Sequence, residues 1–269
     1  MKNLTETVVD SHVIFSKFLE REVIIDFYFP SDIFPNPKEV KLLLINDGQD
    51  LVTMDFHHIL NQLYSKEEIE PLLCVGIHCG PDRRNEYGTA NVLDYKGRGA
   101  KAALYTRFVF EELFPFIKGE FPNSSFTEKS FCGFSLGGLS ALDIVWNHPE
   151  AFTKVGVFSG SLWWRNVSQD DPEFVEEDHR IMHNEIRRGN YHPGLKFFFE
   201  TGTLDEVADR NNNGIIDSID DTISLINELI KKGYHPETDI RYMELKDGSH
   251  DVPTWARALP DFLKWGWRK

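Results

Sequence analysis

The stretch SFCGFSLGG, residues 130–138, constrains this chain more than any other. It sets Ser135 between Gly133 and Gly137, where a short apolar strand-like run, residues 130–132, gives way to a segment with apolar residues at helical spacing. That segment stops at His148-Pro149. A serine on so abrupt a strand-to-helix turn stands its hydroxyl clear of the chain. The flanking glycines let strand and helix pass without Cβ clashes, which is the pattern of a nucleophile elbow. G-x-S-x-G by itself recurs by chance, so the reading rests on the strand before it and the helix after it.

The rest of the chain supplies a sheet for such a turn. Residues 7–16 and 22–29 read as an opening hairpin, and apolar runs follow at 40–45, 72–78, 130–132, 154–158, 195–200 and 240–245. Helical spacing covers 101–120, 136–147, 221–232 and 254–265. This alternation predicts an α/β fold with a mostly parallel central sheet, helices on both faces and antiparallel strands at the N-terminus; functional groups then gather at the carboxyl ends of the strands. No repeat, low-complexity tract or linker interrupts residues 1–269, so a single domain is expected. The longest irregular stretch, 161–193, carries Trp163, Trp164 and a charged helix near 173–188, and reads as a cap-like insertion over the site.

Composition removes several partners. A chain of 269 residues that is 41% hydrophobic and 27% charged can bury a full core. A net charge of -14 and a pI near 5.1 repel nucleic acid and anionic membranes, so neither is expected as a partner. No apolar stretch has signal-peptide or bilayer-spanning length, and a cytoplasmic location is expected. Cys74, Cys79 and Cys132 sit in strand-like runs without zinc-site spacing and read as small buried thiols, not a disulfide.

A serine hydroxyl is a poor nucleophile at neutral pH; it needs a base within hydrogen-bond reach and a carboxylate to orient that base. In an α/β-hydrolase fold the chain order is Ser, acid, His, the acid following a late strand and the His lying near the C-terminus. Only His192, His235 and His250 lie beyond residue 183, and His250, in DGSHDVPTW after the last strand, stands where the base belongs. The strand ending at Glu200 runs into TGTLDE, which offers Asp205 and Glu206, with Asp205 favoured as the acid. Two N–H groups are needed for the oxyanion: that of Leu136, and one from INDGQD, where Gly48 turns the backbone and Gln49 points at the substrate oxygen. A plain β-turn is the simpler account of that second segment. Trp163 and Trp164 are candidates for the substrate pocket or, equally, for packing, while His57 and His58 read as surface or packing residues.

Together, LLLINDGQD, the stretch from RRNEYGTA through GRGAKAALYTRFVFEELFPFI, CGFSLGG, ETGTLDE and GSHDVPTW resemble the enterochelin esterase-like group of α/β hydrolases, also called the esterase D family. The resemblance covers most of the chain. It implies the oxyanion and triad roles for Gln49, Leu136, Ser135, Asp205 and His250. Enterochelin esterases proper carry a separate N-terminal domain ahead of this unit, so the chain is expected to be the catalytic domain alone. The expected activity is hydrolysis of a small-molecule carboxylic ester through an acyl-enzyme, with no catalytic cofactor. An acyltransferase of the same fold and a non-catalytic calcium-dependent binding module are the alternatives.

A second motif follows the acid. DRNNNGIIDSID, residues 209–220, matches the calcium loop, with oxygen ligands at Asp209, Asn211, Asn213, Asp217 and Asp220, the carbonyl of Ile215, and Gly214 at the sharp turn. Position 12 is Asp rather than the longer bidentate Glu, so a structural Ca2+ of modest affinity is expected. A turn capping the following helix is the alternative.

Overall fold

The computed structural model describes residues 6–31 and 39–269. Its strands are β1 (Thr7–Ser16), β2 (Arg21–Pro30), β3 (Glu39–Asn46), β4 (Leu72–Ile77), β5 (Ser125–Phe134), β6 (Lys154–Phe158), β7 (Lys196–Leu204) and β8 (Ile240–Ser249). The helices are α1 (Phe56–Ser65), α2 (Arg83–Glu86), α3 (Ala102–Phe108), α4 (Phe114–Glu120), α5 (Leu136–Asn147), α6 (Glu176–His179), α7 (Ile181–Arg188), α8 (Asp217–Lys232) and α9 (Val252–Trp267).

The strands form one sheet in the order β1-β2-β4-β3-β5-β6-β7-β8. β1 pairs antiparallel with β2 and β2 with β4, and every later pairing is parallel. This is the α/β-hydrolase arrangement that the strand-helix alternation predicts. The central strands are apolar on both faces because both are covered. Leu44, Phe131, Val155 and Phe197 pack towards α3, α5 and α8, whereas Ile45, Cys132, Phe158 and Phe198 pack towards α1 and α9. Close approach on the second face depends on Gly156, where a Cβ would lie 2.7 Å from the ring of Phe262 on α9. Burying a side chain like Phe262 contributes roughly 1.5–3 kcal/mol relative to exposure.

Two helices depart from their simple periodic reading. The helix expected over 101–120 is continuous, but residues 109–113 form a π-turn between α3 and α4. Such a turn widens the helix where Pro115, without an N–H, enters it. The charged helix expected near 173–188 is broken into α6 and α7 at Arg180, whose backbone is extended. That break lets Ile181 donate its N–H to Trp164 O, 2.9 Å away, and lets the Arg180 guanidinium reach Asp221 on α8 at 2.8 Å. Among the described residues, no helix is long and apolar enough to cross a membrane.

Candidate active site

The carboxyl ends of β3, β5, β7 and β8 bring the predicted residues to one rim. Ser135 follows β5 with φ 55° and ψ −120°, a backbone conformation that residues other than glycine rarely adopt. Its neighbours make that strain necessary. A Cβ at Gly133 would lie 2.4 Å from Gly137 O, and one at Gly137 would lie 2.5 Å from the Asp47 carboxylate. The turn is further held by Ser135 N–H donating to Phe158 O at 2.8 Å. His250 reaches it from the β8–α9 loop, with Nε2 2.8 Å from Ser135 Oγ. The Ser161 hydroxyl stands 3.4 Å from Ser135 Oγ on the other side.

Asp205 lies beyond the end of β7, but it makes no hydrogen bond to His250 in this structure. Its Oδ2 accepts from Gly202 N–H at 3.1 Å, and its Oδ1 accepts from the Ser159 hydroxyl at 3.1 Å. Trp255 on α9 donates its indole N–H to Ser159 Oγ at 2.9 Å, and its ring meets His250 edge-on at 5.3 Å. Asp205 is therefore aimed by Ser159 and Trp255, with His250 close enough to interact through charge. Burial raises the Asp205 pKa above the ordinary aspartate value, against the hydrogen bonds and the His250 charge that lower it. Burial lowers the His250 pKa and Arg83 adds to that shift, while Asp205 and Asp251 oppose it. Glu206 faces elsewhere: its interactions run to Ser218 and Asp217 at the start of α8.

Leu136 follows Ser135 at the elbow and Gln49 lies in the turn after β3, where its amide oxygen accepts the Cys79 N–H at 3.1 Å; among the described residues the backbone N–H groups of both have no acceptor. The left-handed residue of the INDGQD turn is Asp47, at φ 59°, and not Gly48. Gly48 is required for a different reason, since a Cβ there would lie 2.5 Å from the Gly76 carbonyl carbon of β4. Asp47 holds its conformation by a two-pronged pair with Arg83, whose Nε and a terminal nitrogen donate at 2.6 and 2.7 Å. The same guanidinium donates to Phe134 O at 3.3 Å, just before Ser135. Beneath it, Tyr105 donates to Asn46 Oδ1 at 2.5 Å and Asn46 donates to Gly137 O at 2.8 Å, so β3 and the elbow are bolted together.

The two tryptophans separate. Trp164 is 1% exposed and packs under Gly88 and Gly99, so it is a core residue and not a pocket wall. Trp163 is partly exposed, with the Arg98 guanidinium 5.1 Å from its ring centre. A cavity of about 360 Å³ lined by Trp146, Asn166, Asn184 and Arg188 opens at the far end of α5. At about 1.5 Å per residue the length of that helix separates it from Ser135.

The 209–220 segment folds as a self-bonded turn. Asp209 accepts from the N–H groups of Asn213 and Gly214, at 3.1 and 2.9 Å, and Asn213 Oδ1 accepts from Ile215 N–H at 2.8 Å. Gly214 has φ 84°, as a sharp turn there requires. Asn211 donates its amide to Asp220 at 2.8 Å. Asp217 is drawn to Arg210, accepting its backbone N–H at 2.9 Å and lying 3.3 Å from its guanidinium. Among the described residues no three His, Cys, Asp or Glu side chains converge to hold a metal ion. Asp209, Asn211 and Asn213 suit a calcium ligand set, while Asp217 is occupied by a cation of the chain itself.

The family model described as Putative esterase matches residues 16–265. The chain belongs to this esterase family. The uncharacterized protein YjcH of Bacillus subtilis is 25% identical over 254 residues, covering 93% of each chain. The iron(III) enterobactin esterase of Escherichia coli is 26% identical over 153 residues, which are 56% of this chain and 33% of that protein. The enterobactin esterase FES of Shigella flexneri, solved in the presence of enterobactin, superposes with a TM-score of 0.72 at 21% identity, over 97% of this chain and 58% of that one. The chain thus spans little more than half the length of FES.

Sequence reasoning missed Ser159, Trp255 and the Arg83–Asp47 pair. The first two carried a signal: a serine directly after β6 and a tryptophan five residues past His250 both fall at the rim of the sheet. Arg83 carried none, because its partner lies 36 residues away on another strand end.

Proposed function

We propose that this esterase cleaves a small carboxylic ester through an acyl-enzyme on Ser135. The observation that carries the reading is the 2.8 Å approach of His250 Nε2 to the hydroxyl of a strained elbow serine. Ser135 Oγ attacks the ester carbonyl as its proton passes to His250 Nε2. The resulting oxyanion meets the N–H groups of Leu136 and Gln49, which have no other acceptor. Collapse expels the alkoxide, which takes the proton from His250. Water then repeats the sequence on the acyl-enzyme and releases the acid. Asp205, aimed by Ser159, stabilises the His250 cation formed in each half-reaction.

The substrate class proposed is an aromatic ester of the siderophore or feruloyl kind. Trp163, with the Asp94-paired Arg98 guanidinium over its ring, offers a flat surface for such a group, and the FES structure that this chain resembles was solved in the presence of enterobactin. Three free thiols, two of them buried, suit a reducing cytoplasm. A structural Ca2+ on the 209–220 loop is proposed on its ligand pattern. The decisive test is labelling with a fluorophosphonate, followed by turnover of short aryl esters, feruloyl esters and catecholate lactones. Absence of label on Ser135 with an intact fold would leave a binding module; transfer to an added alcohol in preference to water would make the enzyme an acyltransferase.

A further inference from the structure

The catalytic loop rests on a carboxyl group that the proposed reaction does not use. Glu200, on β7 five residues before Asp205, is 0% exposed. Both of its carboxyl oxygens are buried without a hydrogen-bond partner. Its backbone carbonyl accepts the N–H of Ser159 at 2.8 Å, and the Ser159 side chain in turn donates to Asp205. Ser159 itself sits at φ 43°, a left-handed strain that the β6–β7 connection must hold. Phe198, two residues earlier on the same strand, packs with Trp255 and Phe262, so Glu200 lies on the face covered by α9.

A carboxylate in such a place is costlier than the neutral acid: the nearby Ser159 N–H and hydroxyl favour the charge but are already given to Glu200 O and Asp205, while burial and Asp205 oppose it. We propose that Glu200 is a positioning residue that works as a neutral acid: uncharged, it fills the space behind Ser159 and Asp205, and forming its carboxylate displaces Asp205 from its setting beside His250. This rests on the triad reading above. The groups acting on Glu200 are Asp205 from its own strand end, Ser159 after β6 and Arg257 from α9; Tyr242 of β8 bonds Thr201 on the opposite face of the sheet. Asp205 opposes the charge and Arg257 favours it, but Arg257 is half exposed and already paired with Asp247 at 2.6 Å. Burial, then Asp205, push the Glu200 pKa up to about 8.

The direction of the pH effects follows. Glu200 binds its proton more tightly in the folded chain, about 8 against an ordinary 4.5, so its contribution to stability is complete below pH 4.5 and is lost as pH rises through about 8. Asp143, pushed up to about 7 by burial, and the buried Asp221, also raised, add slopes of the same sign to wild type and variants alike and cancel between them.

The experiment follows kcat, KM and Tm against pH for wild type, Glu200→Gln and Glu200→Ala, with infrared spectra recorded across the same range. One pH unit above its pKa, Glu200 is about ten parts ionised to one, so wild-type kcat should fall about tenfold by pH 9 with KM little changed. Glu200→Gln, which copies the neutral acid, should remove that fall and flatten the decline of Tm, while Glu200→Ala should lower kcat at every pH. A protonated-carboxyl band present in wild type at pH 6, lost by pH 9 and absent from Glu200→Gln supports the proposal without reference to activity. An alkaline fall in kcat and Tm equally steep in Glu200→Gln, or no such band, overturns it. Full turnover by Ser135→Ala would instead defeat the triad reading, and the infrared and Tm results would still judge the state of Glu200.

Discussion

His250 Nε2 lies 2.8 Å from Ser135 Oγ although 115 residues separate them. The contact exists because β5 and β8 are parallel strands of one sheet, so their following loops emerge on the same rim. Ser135→Ala and His250→Ala should each lower kcat by roughly a thousandfold or more while leaving Tm within a few degrees of wild type. Near wild-type turnover by His250→Ala would remove it as the base.

Asp205 and Glu206 are adjacent in sequence but face different partners, the first Ser159 and Gly202, the second the start of α8. Asp205→Asn should therefore reduce kcat far more than Glu206→Gln. Ser159→Ala, which deprives Asp205 of one hydrogen bond and Trp255 of its acceptor, should fall between them, at roughly 1–2 kcal/mol in the barrier. Steady-state kinetics on one aryl ester gives the ranking, and a larger loss in Glu206→Gln would transfer the role of acid to Glu206.

The base must be neutral to accept a proton, so activity rises as pH climbs through the His250 pKa. Burial and Arg83 set that pKa below the ordinary 6.5, and the acid limb of kcat/KM should lie below 6.5 as well. Asp205 pulls the other way, so the residual activity of Asp205→Asn should show the limb at still lower pH. A limb displaced upward in that variant would mean that Asp205 does not act on His250.

The elbow turn, the mostly parallel sheet and the place of His250 near Ser135 were legible in sequence because each is fixed locally: by two glycines around Ser135, by apolar runs of strand length, and by His250 following the last of them. What stayed hidden is long-range. Nothing near Arg83 announces Asp47, nothing near Ser159 announces Asp205, and the double Trp163-Trp164 reads as one feature although only the first reaches solvent. Gly48 shows the limit of residue-type reasoning: it is indispensable for its approach to Gly76, while the unusual backbone belongs to Asp47 beside it.

That arrangement makes Arg83 the support of the turn proposed to hold the oxyanion. Its guanidinium ties Asp47 to Phe134 O, and so the loop after β3 to the end of β5. Arg83→Met would leave the Asp47 carboxylate, 1% exposed, without its cation. The expected result is a loss of about 3 kcal/mol or more in stability, with kcat falling at least tenfold and KM changing little, since the oxyanion donors act chiefly in the transition state. Denaturant unfolding and kinetics on the same preparation check both; unchanged kcat in a folded variant would show that the turn holds its shape without Arg83.

The 209–220 loop gives the last test, because its two readings differ in what Arg210 and Asp217 do. As folded, Asp217 is satisfied by Arg210, and Asp209 by the N–H groups of Asn213 and Gly214. Calcium would keep the Asp209, Asn211 and Asn213 oxygens turned inward and recruit Asp220, at present bonded to the Asn211 amide. An ion bound only by the folded chain at a hundred times its Kd adds about 2.7 kcal/mol. For a chain of this size that is a rise in Tm of roughly 5–10 °C. Magnesium, which demands tighter octahedral geometry, should give less, and Asp209→Ala should abolish the calcium effect. Because the loop begins only a few residues after Asp205, the same titration followed by activity should show whether an ion there steadies the proposed acid. A Tm identical in calcium, magnesium and chelator would falsify the metal reading and leave residues 209–220 as the turn that starts α8.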